Sequence, residues 1–376
     1  MTASGASVAL SIMKVPAPAP VIEAIQEIVV ETAVDLAGAF SIKFGLAVDQ
    51  LGDYGLLALD PFKPFMSISI RVGTGMVPLP LAVLNGYVTG QRASWKEGGK
   101  SAHHIHGTDI TGIMNLQEKV QPWPNMPDSV VAAAIFGTYA VLPEVTPTAP
   151  RQVEPLGTPM QRGTDIRHLR RLARRNGFDC YVLPEPVTGV DVGHFGPPVL
   201  AGLPDAVLNV NMGPATNVSD VSVHYDMAKP TTVVSANIDT TTKSPQPALA
   251  PISTMLPMGL EPTLVRALAG AGVAGAVPMV MPTDTGNVLT AESQPADQAI
   301  ADRSSFAVVL EATGGLDLGV LRPGGLVALR GVGHLFNGLY QVTKNRMTIA
   351  EGRFEQRFAA RRNAVTMTGT ELYVSL

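Results

Sequence analysis

Pro323, Val327-Ala328-Leu329-Arg330, Asn337-Gly338, Val342-Thr343 and Ala350-Glu351-Gly352 punctuate the stretch from 321 to 352. Apolar runs alternate with turn residues, which reads as short antiparallel strands joined by hairpins. The same punctuation occurs earlier: Pro64, Ser67-Ile68-Ser69-Ile70-Arg71, Asn85-Gly86, Val88-Thr89 and Lys96-Glu97-Gly98. The step from Pro64 to Arg71 equals the step from Pro323 to Arg330. The step from Asn85 to Glu97 is matched, slightly lengthened, by the step from Asn337 to Glu351. The first copy carries a longer loop, Gly73 to Leu84. The pattern predicts two similar antiparallel units in tandem, each a small β-barrel, because closure removes edge strands that would recruit other chains.

Alternation extends outward from both copies. Phe40, Ile42, Phe44 and Leu46 alternate with polar or small residues, as do Ile68, Ile70 and Val72. Near the end of the chain Phe354, Gln356 and Phe358 share one face. Asn85-Gly86 and Gly98-Gly99 read as hairpin turns. Between the copies the character changes. Ser129 to Tyr139 predicts a helix capped by Asp128, and Pro143 to Pro159 a loop. Asp165 to Arg175 predicts a helix with Thr164 as N-cap, an Ile166, Leu169 and Leu172 stripe, and Gly177 as its stop. Strands follow at Phe178 to Leu183, Val207 to Val210 and Val218 to Tyr225. Ser244 to Gly286 is rich in Pro, Gly and Ala and yields one helix, near Thr263 to Leu268.

The expected fold is mainly β with an α/β insertion. Its parts are a flexible lead-in over 1–20, a first β-barrel over 21–115, an α/β insertion over 116–205 and a second β-barrel over 206–376. A Pro/Gly-rich insertion of about 244–300 interrupts the second barrel.

Composition narrows the function. The 376 residues are 46% hydrophobic and only 15% charged, with 37 Gly and 31 Pro, a balance suited to many short strands and turns. The net charge of −4 argues against a chain that binds nucleic acid by bulk electrostatics. Two stretches are basic: Arg162 to Arg175 holds six Arg against one Asp, and Lys344 to Arg362 holds six basic residues against two acids. The remainder carries 15 basic and 28 acidic residues. Cys180 is the only cysteine, so no intrachain disulfide forms. The first residues lack a signal-peptide pattern. The apolar stretch Leu264 to Met281 is interrupted by Arg266, by glycines and by Pro278, so no membrane span is expected.

Three stretches resemble the late-control protein D family of phage tail hubs, which also supplies the first half of type VI secretion spike proteins and the hub of extracellular contractile injection systems. The first is Leu84-Asn85-Gly86-Tyr87-Val88-Thr89 followed by Gly107-Thr108-Asp109. The second is Gln161-Arg162-Gly163-Thr164-Asp165 with Leu169-Arg170-Arg171-Leu172-Ala173 and Asn176-Gly177-Phe178. The third, and the most specific, runs through Leu321-Arg322-Pro323-Gly324, Arg330-Gly331-Val332-Gly333, Phe336 to Thr343 and Arg361-Arg362-Asn363. Ile166-Arg167-His168 departs from the aromatic usual after the helix start.

The resemblance implies a structural baseplate hub of a phage tail or contractile injection system. Three chains of two barrels would form a homotrimeric ring of six near-equivalent units. That ring would adapt a sixfold tail tube to a threefold spike around a central channel. The implied partners are a tail tube or distal tube-initiator protein, a separate trimeric spike protein and other baseplate (wedge) proteins. DNA or a tape-measure protein would pass only in transit. The implied location is the virion tail baseplate, made in the host bacterial cytoplasm, or a bacterial injection particle. The sequence stops at Leu376, soon after Asn363, so the spike is expected as a separate chain.

Two other chemistries are weighed. His103, His104 and His106 with Asp109 could serve a metal-dependent hydrolase, because alternate residues of a strand share a face. The bland reading is an ordinary barrel strand. Arg162 to Arg175 could grip phosphate as a nucleic-acid-binding module, against a solvated helix face paired with acidic neighbours. Cys180 reads as a buried, inert thiol. No nucleophile elbow, P-loop or dinucleotide fingerprint is present, and Gly331-Val332-Gly333 reads as part of a hairpin. The expectation is therefore no enzyme, no catalytic, metal or cofactor-binding residue and no cofactor. Arg353, Arg357, Arg361 and Arg362 read as an interface patch whose reversal at Arg361 and Arg362 would weaken assembly without unfolding the chain.

Overall fold

Two five-strand units repeat one topology. In the first the strands are Ile25–Ala33, Ala39–Gly45, Ser67–Gly73, Leu81–Ser94 and Ala102–Thr108. In the second they are Val218–Tyr225, Val308–Gly314, Leu326–Arg330, Gly338–Ala350 and Arg353–Arg362. Both units run third, fourth, fifth, second, first in space, antiparallel throughout. A leading strand flanks the third in each: Ala6–Ile12 antiparallel to Ser67–Gly73, and Ala206–Asn209 parallel to Leu326–Arg330. The computed structural model describes all residues except 1, 4–5, 49–51, 76–78, 96–100, 150–157, 239–242, 272–278, 281–289, 370–372 and 374–376.

The duplication is marked by one β-bulge that occurs twice. The fourth strand of the first unit slips register between Val88 and Gly90, and that of the second between Val342 and Lys344. The extra residue is a threonine in both. Thr89 Oγ1 donates to His106 O at 3.4 Å, and Thr343 Oγ1 donates to Ala359 O at 3.1 Å. Bulges bend a strand and raise its twist, which rounds a sheet toward a barrel. In the second unit Asn217 links the two ends of the sheet. Its N–H donates to Asn209 O at 3.2 Å, its Oδ1 accepts from Asn209 N at 2.8 Å and its Nδ2 donates to Val207 O at 2.8 Å.

The two copies share the register of this hairpin: counted from the bulge, Ile68 opposite Gly86 is the counterpart of Val327 opposite Tyr340. Only the Asn-Gly letters fall two positions apart between the copies.

A single strand serves both cores. Gly338–Ala350 buries Tyr340 and Val342 in the second unit, then past the bulge buries Met347 and Ile349 in the first, beside Ile28, Val30, Phe44 and Phe354. One hydrogen-bonded sheet therefore runs through both units.

Two insertions depart from the repeat. Between the units, Asp128–Thr138 and Asp165–Asn176 pack Ile135, Phe136, Leu169 and Leu172 against a three-stranded sheet of Leu142–Val145, Asp191–Gly196 and Asp179–Pro184. Inside the second unit, residues 226–307 separate its first strand from its second, where the first unit needs only Val34 to Gly38. That insertion holds the hairpin Thr232–Ile238 and Pro245–Ala250 and the helices Thr263–Ala271 and Thr290–Ser304.

Several expectations are corrected. The lead-in of 1–20 is not a free tail: Ala6–Ile12 pairs along Ser67–Gly73 and buries Leu10 at 2% exposure. Asn85-Gly86 is no turn but lies inside Leu81–Ser94. Gly86 is there because an added Cβ would stand 2.7 Å from the Phe40 ring, and Asn85 Nδ2 holds the insertion through Gly189 O and Asp191 Oδ1. Part of the expected 143–159 loop is strand, since Leu142–Val145 runs parallel to Asp191–Gly196. Asp128 is the first helical residue, after Pro127, and spends its carboxylate on Arg175 and Asn176 rather than on its own helix. Thr164 occupies the N-cap, but its hydroxyl bonds Asn115. The insertion of the second unit begins well before 244. Lys96-Glu97-Gly98 and Gly98-Gly99 lie outside the described residues.

Candidate assembly interface

The seam between the two units shows how this protein joins one barrel-like unit to another. Ile25–Ala33 runs antiparallel along the half of Gly338–Ala350 beyond the bulge, from Ala33 opposite Lys344 to Glu27 opposite Ala350. Alternation sorts the side chains. Ile28, Val30, Met347 and Ile349 point inward at no more than 1% exposure. On the outer face Glu31 accepts from Arg346 Nη1 at 2.7 Å and lies 3.5 Å from Lys344 Nζ. These outer pairs are about half exposed and contribute register more than stability. Thr32 and Asn345 are also buried, and Asn345 Nδ2 donates to Leu321 O and Gln356 Oε1 at 2.8 and 2.9 Å.

The histidines fit the same repeat. Counting from the shared bulge, His103 occupies the place of Gln356, and Gln91 that of Asn345. His103 Nε2 lies 3.1 Å from Gln91 Oε1, with the ring among Phe44 and Phe62. Burial, chiefly, lowers its pKa. His104 and His106 lie on the opposite face, half-buried and exposed. Asp109 caps the short helix Ile110–Ile113 and accepts from Gly38 N at 2.7 Å; burial pushes its carboxyl up to about 6. Among the described residues no three or more His, Cys, Asp or Glu side chains stand together as a metal site.

The arginines divide between surface and core. On the helix Asp165–Asn176, Arg167 reaches Glu118 at 3.4 Å, and Arg175 binds the buried Asp128. Arg171 Nη2 donates to His168 Nδ1 at 2.8 Å. Asp165 is held by Lys119, Tyr139 and Gln161. Much of the basic stretch thus ties the insertion to itself. Cys180 is buried beneath this helix and its thiol is pushed up to about 12.

The expected patch at the end of the chain splits. Arg353 and Arg357 are exposed and flank Glu355. Arg361 is instead bound to Asp179 at 2.6 and 2.9 Å, over the Phe306 ring, and Arg362 is fully buried. Reversing the last two would break the fold, which corrects the interface reading for them. No helix among the described residues is long and apolar enough to cross a membrane.

His168 gives this insertion a pH response. Burial, then Arg171 and Arg175, pull its imidazole down to about 4. The unfolded chain therefore binds more protons between about 4 and 6.5, and stability falls as pH drops through that window. The loss should be of order 1–2 kcal/mol. Asp109, with a raised pKa, acts with the opposite sign between about 4 and 6 but equally in any His168 variant. His168→Gln should therefore lose less urea stability than the parent chain between pH 7 and pH 5; equal losses would contradict the assignment.

No protein-family model matches the chain, and no curated protein matches it. Solved structures do. A tail protein from Neisseria meningitidis MC58 aligns at 14% identity and a TM-score of 0.66, over 96% of this chain and 97% of that one. A 43 kDa tail protein of prophage MuSo2 from Shewanella oneidensis aligns at 12% identity and 0.64, over 96% and 99%. An E. coli component of the type VI secretion system, similar in structure to bacteriophage T4 tail proteins, aligns at 10% identity and 0.56, over 94% and 76%. Nearly end to end, with both units and both insertions included, this chain has the fold of phage and prophage tail proteins.

Proposed function

We propose that the protein is a structural baseplate hub: three copies close into a ring around a central passage, with a sixfold tail tube on one side and a trimeric spike on the other. The observation that carries the reading is the duplicated unit with its repeated threonine bulge. A chain with two equivalent units, locked together through one sheet, offers six near-equivalent positions when three copies close. That number reconciles threefold with sixfold symmetry. The likeness to tail proteins and to a type VI secretion component supports a tail role. On this reading the partners are a tail tube or tube-initiator protein, a spike protein and further baseplate proteins, and the particle is a virion or a related injection device.

Absolute mass by light scattering, with negative-stain images of the same peak, tests it. The expected result is three times the mass of one chain and a ring with a central hole. A monomer carrying one tightly bound metal ion per chain would overturn the reading in favour of the hydrolase.

A further inference from the structure

Three arginines line one small recess, and one of them has buried donors with nothing to bond. The recess lies where the turn after Ile25–Ala33 meets the helix Asp165–Asn176 and the helix Thr290–Ser304. Arg170 and Arg174 come from the first helix, one turn apart, and Arg303 from the second. Nε and Nη2 of Arg170 are buried without a hydrogen-bond partner among the described residues. Arg303 spends Nη1 on Phe178 O at 3.0 Å.

The acids at hand do not balance these cations. Asp179 gives both oxygens to Arg361, a fourth guanidinium whose charge acts on Arg303, and Asp35 is exposed to solvent. Among the described residues, four guanidinium groups thus stand against two carboxylates. Like charges four positions apart on a helix repel, and a buried donor left unpaired costs its desolvation. Cys180 also lines the recess but adds no charge, because burial pushes its thiol up to about 12 and keeps it neutral. Elsewhere on the same helix the arginines are matched: Arg167 has Glu118 and Arg175 has Asp128.

We propose that this recess binds one small inorganic anion, of the size of chloride, between Arg170, Arg174 and Arg303. Its volume of about 20 Å³ admits a single water-sized body, which suits a halide and is too little for a sulfate or phosphate. A water molecule would fill the same space and satisfy the Arg170 donors, but it would leave the excess positive charge in place. An anion answers both. Bound there, the ion ties the first unit to both insertions at one point. The site does not depend on the ring reading.

Urea unfolding in about 0.15 M sodium chloride, and in sodium gluconate at the same ionic strength, tests it. Chloride in roughly tenfold excess over its dissociation constant should raise the midpoint of the parent chain by about 0.3 M urea over gluconate. Arg170→Gln should lose that difference. In gluconate it should be no less stable than the parent, which then carries an unpaired buried cation. Arg167→Gln, on an exposed side chain of the same helix, should keep the difference. An arginine that only packs would lower stability equally in both salts when replaced, and that result overturns the proposal. Should Arg170→Gln not fold, bromide decides on the parent chain. Crystals grown in sodium bromide should show anomalous density against the Arg170 guanidinium; a recess holding water alone, without anomalous density, overturns the proposal.

Discussion

Arg362→Ala should cost more than about 5 kcal/mol, enough to leave little of a typical domain's stability. The side chain is fully buried and serves as a hub for main-chain carbonyls. Its Nε and Nη2 donate to Met258 O at 3.0 and 2.7 Å, and Nη1 donates to Asn337 O at 2.7 Å. Nη2 also reaches Thr366 O at 3.2 Å, and the guanidinium carbon lies 5.5 Å from the centre of the Tyr340 ring. These contacts tie the insertion of the second unit, the turn before Gly338–Ala350 and the tail of the chain to one point. Removal orphans buried acceptors, each worth about 1–3 kcal/mol, and adds a cavity. Lysine should not rescue, because a point charge cannot span the fork. Urea unfolding followed by far-UV circular dichroism checks this; Arg357→Ala, on an exposed side chain, should change stability by less than about 0.5 kcal/mol.

The matched step from Pro to Arg and the Val-Thr pairs carried the duplication because they mark real backbone events, the start of the third strand and the bulge. The Asn-Gly pairs misled. Asn337-Gly338 does lie at a turn, with Gly338 at a φ of 130°. Asn85-Gly86 has the same letters for a different reason, room for the Phe40 ring and a side-chain amide for the insertion. Composition cannot separate a glycine needed for φ from one needed for space. Arg361 and Arg362 were misread for a related reason. A run of basic residues at strand spacing looks like a solvated face, but the groups that neutralise it, the Asp179 carboxylate and the Met258 carbonyl, lie far along the chain. The interface was partly legible: the repeat announced two equivalent units. The strand that joins them was not, because Ile25–Ala33 meets Lys344 to Ala350 from the opposite end of the chain and nothing local encodes that pairing.

Ile349→Asp should uncouple the two units and cost about 4 kcal/mol or more, whereas Arg346→Ala should cost less than about 1 kcal/mol. Both residues sit on the same strand of the seam, opposite Ile28 and Glu31. Ile349 is fully buried in the core of the first unit although it belongs by sequence to the second. A carboxylate there must either ionise in an apolar core or fold protonated, and each choice is expensive. Arg346 is half exposed, so its ion pair with Glu31 is screened and mostly fixes register. Equilibrium unfolding separates the cases. If the seam is held by apolar burial, the first variant shifts the urea midpoint strongly and the second barely does; the reverse order would mean that charge holds it.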